Sequence, residues 1–175
     1  MTASVGLSPF VGLAAPATTW RRGVLDAYRA QLVAVRSPML LVSSWSGPSQ
    51  RVRRSADTVL HDVPFRGEWR DSDDLAAFAG AGSAYVMTDY DQTGSGHDWT
   101  QAVAGAQPRV INAGAPEQFG GRPAERFGLG PGMGYAGAVG ALAQPFTIIL
   151  TWMAVAAAPL TEHTLLGRDG AAGGA

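Results

Sequence analysis

Two polar segments, Ser46 to Ser55 and Asp89 to Gln101, flank a short acidic stretch and together limit what this chain can fold into. The first opens on the turn signal Gly47-Pro48 and continues Gln50-Arg51-Val52-Arg53-Arg54. On a strand, Arg51 and Arg53 share one face and Arg54 takes the other. Binding of a phosphate or sugar acid by these arginines with His61 is open to them, but their split faces favour pairing with Asp57, Asp62 or the acids from Asp71 to Asp74. The second segment is too polar and too rich in glycine to be anything but a loop.

The remaining pattern is of short strands with little helix. Thr58-Val59-Leu60 is expected to pair back onto the first strand around Ser55-Ala56-Asp57, and Met39 to Val42, Ala84 to Thr88, Pro108 to Asn112 and Arg122 to Phe127 read as further strands. Apolar residues at helical spacing, Val24, Leu25, Tyr28, Leu32 and Val35, predict an amphipathic helix from Arg21 to Val35. A second helix starts with Ser72 as its N-cap, carries Asp73 and Asp74 in its first turn and ends at Gly80. Residues 1 to 20 are small, apolar and punctuated by proline, and read as an extended N-terminal arm; residues 21 to 175 form the domain. The start lacks a basic region followed by a sustained apolar run, so no secretory signal is expected. The uncharged stretch from Ala136 to Pro159 is broken by Pro145, and Phe146 to Trp152 reads as a buried strand rather than part of a membrane span.

Composition excludes several chemistries. The 175 residues carry a net charge of -1, and all 13 basic residues are arginine, so no field favours nucleic acid or a membrane surface. The absence of cysteine rules out disulfides and thiolate sites, and the absence of lysine rules out a phosphate-binding Walker loop. Gly132 to Gly137 matches a dinucleotide fingerprint as a string, but no strand precedes it and no acid follows at the required distance. No cofactor is expected. Asp89, Asp91 and Gly94 sit as in a calcium loop, making Asp89 and Asp91 weak metal candidates, yet Thr100 stands where the bidentate glutamate belongs. A turn braced by short aspartate side chains is the preferred reading.

Gly47-Pro48, Val52-Arg53-Arg54-Ser55 with Asp57, Tyr90-Asp91-Gln92 and Thr100-Gln101 together resemble the entry to the catalytic domain of the arabinofuranosidase B family. Pro108-Arg109, Asn112-Ala113-Gly114, Gly121 to Ala124, Arg126-Phe127 and Gln144 to Ile148 are similar to the laminin-G-like sandwiches of phage-like tail, fibre and appendage proteins. The resemblance implies a mainly β chain, a concanavalin A-like jelly-roll sandwich with one or two short helices. It also implies that the sandwich is incomplete, because the family's two catalytic carboxylates lie beyond the region reached here. A vicinal cysteine pair expected near Thr164 and Leu165 is missing. Glu117, Glu125 and Glu162 match no family motif, so no catalytic residue is assigned, although glycoside hydrolysis ordinarily needs two carboxyl groups.

The expectation is therefore a structural component of a virion or phage-tail-like particle, a spike, fibre or tail subunit at the virion or extracellular particle surface. The arm would bind other particle proteins, the chain would form a homo-oligomer, and surface polysaccharide is a further partner, with Tyr90, Trp99 and Trp69 as stacking residues. The alternative is the amino-terminal part of an arabinofuranosidase-like hydrolase.

Overall fold

A computed structural model describes residues 23–128, 135–137, 142, 145 and 147–151. The chain divides into two compact units, Met1–Ala141 and Leu142–Ala175. The expected arm at residues 1 to 20 lies outside the described residues.

The first unit is mainly β, its sheets antiparallel and its helices short, an arrangement that accords with a β-sandwich. Its principal sheet has six strands: β1 (Gln50–Arg54), β2 (Leu60–Val63), β5 (Ala84–Asp89), β6 (Trp99–Thr100), β7 (Arg109–Asn112) and β8 (Ala115–Pro116). The order is β2-β1-β5-β7-β8, with β6 paired to the far end of β5. Two short hairpins stand apart, β3 (Phe65–Arg66) with β4 (Trp69–Arg70) and β9 (Gln118–Phe119) with β10 (Arg122–Pro123). Two-residue loops close them, and the loop between β7 and β8 shows why the sequence suits it. Ala113 and Gly114 take φ of 48° and 82°, the paired left-handed geometry that matches strand twist.

Helix α1 (Ser72–Ala79) packs on the sheet, because Leu75 and Ala79 recur at i and i+4 and meet Val52, Val63, Ala84 and Val86, all buried. The cap is Asp71 rather than Ser72. Asp71 Oδ1 accepts from the backbone nitrogens of Asp73 (3.0 Å) and Asp74 (3.1 Å), two donors that the helix cannot satisfy itself. Gly80 closes the helix at a φ of 58°.

Three sequence expectations differ from the structure. The helix expected from Arg21 to Val35 is reduced to a 3-10 turn, Asp26–Gln31, with no buried residue. Without an apolar face to bury, a short helix has little to hold it together. Met39 to Val42 contributes one bridge, Met39 to Trp69, rather than a strand. In the second unit, residues 147–151 form no strand, and Ile149 is 86% exposed. No helix among the described residues is long and apolar enough to cross a membrane.

Candidate functional site

The Asp89 to Gln101 loop is organised by two side chains that stand in for backbone. Asp91 Oδ1 accepts from the amides of Val35 (2.9 Å) and Thr93 (3.0 Å), while Oδ2 accepts from Thr93 Oγ1 (2.7 Å) and the His97 amide (3.3 Å). Burial pushes the Asp91 carboxyl up, but these donors outweigh it and hold the group below its ordinary value. Gln92, also buried, accepts from the Leu41 and Val42 amides at 2.7 and 3.3 Å and donates to the Ser37 and Met39 carbonyls at 3.2 and 2.8 Å. The 37–42 segment, which pairs with β4 only at the Met39–Trp69 bridge, is thereby stitched to the loop. Among the described residues no group of three metal-binding side chains converges, at Asp89, Asp91 or elsewhere.

The side chains of the first motif are paired as well, at the surface. Arg54 forks onto Asp57 at 2.9 and 2.6 Å and donates to the Phe78 carbonyl at 2.8 Å. Arg51 forks onto Asp62 through Nε and Nη2, each at 2.7 Å. Arg53 instead donates to the amide oxygen of Gln107 at 2.8 Å, so the three arginines have separate partners.

The three predicted stacking aromatics are not brought together. Each half-buried ring carries its own guanidinium: Arg51 lies 6.0 Å from the Tyr90 centroid, Arg36 4.3 Å from Trp99 and Arg122 4.9 Å from Trp69. Trp99 also packs against Tyr135 at 6.0 Å, and among the described residues no ring contact joins the three to one another.

Beneath this surface lies a polar cluster that the sequence pattern did not reveal. Gln50, fully buried on β1, accepts from Arg70 Nη1 at 2.5 Å, and its Nε2 stands 3.4 Å from Asp89 Oδ1 and donates to Glu125 Oε1. Tyr135 donates to the other oxygen of Glu125 at 2.5 Å, and Arg70 Nη2 reaches the Ala124 carbonyl at 3.3 Å. Burial first, and then the neighbouring Glu125 charge, pushes Asp89 well above the ordinary aspartate range. Burial raises Glu125 as well, against the lowering influence of Tyr135, Arg70 and Gln50. Two perturbed carboxyls side by side are the usual mark of a catalytic pair. Here Gln50, Arg70 and Asp89 are 0%, 1% and 6% exposed, Glu125 is half-buried, and the Gln50 amide occupies the space between the two acids. The signal that could have located the cluster is Gln50 itself, a polar residue alternating with Val52 on the core face of β1.

An open groove of about 430 Å³ lies at the start of β1, lined by Leu40, Trp45, Pro48, Asp62, Pro64 and Phe65 among others. The Trp45 indole is fixed by donation to the Pro48 carbonyl at 3.0 Å and lies so close over Gly47 that a Cβ there would overlap the ring. Asp62 forms its charged wall; its bonds to Arg51 hold its carboxyl below the ordinary range. Tyr90 joins the site indirectly, donating to Asp62 at 2.9 Å. Trp45 and Phe65 were not singled out by sequence, since nothing in their spacing says that a turn and a hairpin meet.

No protein-family model matches the chain, and no curated protein matches it in sequence. Among solved structures it is similar to a GH54 α-L-arabinofuranosidase soaked with a cyclic sulfate inhibitor, at 25% identity and a TM-score of 0.45, over 51% of this chain and 22% of that one. It is also similar to an arabinofuranosidase complexed with arabinofuranosyl-α-1,2-xylobiose, at 29% identity and a TM-score of 0.42, over 46% of this chain and 18% of that one. The chain therefore spans about a fifth of the length of these enzymes.

Proposed function

We propose that this chain is a non-catalytic β-sandwich subunit of a virion or phage-tail-like particle, a spike, fibre or tail component at the particle surface. The observation that carries the non-catalytic part is the structural use of the motif side chains. Asp91 and Gln92 are buried and consumed in bonds that hold the fold, Arg54 is paired with Asp57, and the Gln50 amide stands between the Asp89 and Glu125 carboxyls. A glycosidase needs both carboxyl groups at the scissile bond. The particle setting rests on the sequence likeness of segments between Pro108 and Ile148 to the sandwiches of tail and fibre proteins.

The test is to incubate the purified chain with a chromogenic arabinofuranoside and, separately, to sediment it with particles. The proposal expects no sugar release and co-sedimentation as a homo-oligomer. A monomer that ignores particles contradicts it; turnover of the arabinofuranoside contradicts it and favours the amino-terminal part of a hydrolase, the reading supported by the order of the two motifs.

A further inference from the structure

We propose that the groove between the 45–48 turn and the β3–β4 hairpin is a binding site for an uncharged saccharide. A sugar ring offers apolar C–H faces and a rim of hydroxyls, and the groove presents the complement of both. Trp45 and Phe65 supply aromatic surface, with Pro48 and Pro64 completing apolar walls. Its volume of about 430 Å³ suits one or two sugar rings. The indole is held in place before any ligand arrives, by its bond to Pro48 and its seat on Gly47, so little freedom is lost on binding.

The polar groups decide the charge of the ligand. Asp62 Oδ1 already accepts from Arg51 Nε and from Tyr90, whereas among the described residues Oδ2 accepts only from Arg51 Nη2 at 2.7 Å. A carboxylate oxygen has room for a second donor, and a sugar hydroxyl can fill it. An acidic sugar meets the Asp62 charge, and among the described residues the lining holds no arginine, lysine or histidine to offset it. A cationic sugar meets Arg51 and gains only a carboxylate that is already paired. A neutral chain is thus the class that fits, whether or not the protein belongs to a particle.

The test is titration of the full chain with neutral gluco-, xylo- and arabino-oligosaccharides, oligogalacturonate and chitosan oligomers. The expected result is binding of at least one neutral oligosaccharide, weakened about ten-fold or more by Trp45→Ala. Asp62→Asn, a change on the surface, is expected to weaken it several-fold with the circular dichroism unchanged, which keeps the test valid should Trp45→Ala fail to fold. Oligogalacturonate or chitosan binding as tightly as any neutral chain, and lost with Trp45, overturns the charge assignment while leaving a saccharide site. Binding of none of these probes, or neutral binding indifferent to both substitutions, overturns the site itself.

Discussion

Asp89 and Glu125 are joined through one nitrogen, Nε2 of Gln50, whose amide oxygen in turn holds Arg70. The amide stands between a guanidinium and two carboxyl groups, and its two ends match the groups on either side. Gln50→Leu removes an acceptor from a buried guanidinium and a donor from two buried carboxyls. The expected loss is about 3 kcal/mol, read from urea denaturation. A loss below about 1 kcal/mol would mean that water or rearrangement replaces the amide with ease.

The same cluster makes stability depend on pH. The Asp89 carboxyl lies well above its ordinary 3.8 in the folded chain, so the fold retains a proton that the unfolded chain releases. Its contribution is full below 3.8 and is lost as pH rises towards the folded value. The stability of the natural chain relative to Asp89→Asn should therefore decline with rising pH through that window, as read from denaturation midpoints of both proteins. A difference that stays flat or grows contradicts the assignment.

Gln92→Leu should be among the most damaging changes outside the apolar core. It leaves two backbone amides and two carbonyls of the 37–42 segment without their partners. The expected loss is about 3 kcal/mol, accompanied by faster amide exchange at Leu41 and Val42. Protection factors that remain unchanged at these positions would contradict the bracing role.

Asp71→Ala tests the helix start. Loss of two accepted bonds at the N-cap should reduce stability by about 1 kcal/mol, whereas Ser72→Ala should change it little. Equal effects, measured by thermal denaturation, would return the cap to Ser72.

The strands were legible where alternation and turn residues agree. Gln50 to Arg54 and Ala84 to Asp89 lie close to where β-branched residues and flanking turns place them. The loop was legible for the same reason, its glycines and short polar residues leaving no other conformation. The cap was misread by one residue because Asp71 and Ser72 are both good caps, and only the backbone entering the helix decides between them. The Arg21 helix was misread because periodicity reports an apolar stripe, not the presence of something to cover it. Neither the Gln50 cluster nor the Trp45 groove was visible, since each assembles residues distant in sequence through strand register.

The most direct measurement is immunogold labelling of intact particles with an antibody raised against the folded chain. The account predicts gold at spike, fibre or tail positions on the particle surface. Gold confined to the soluble fraction, with unlabelled particles, would contradict it.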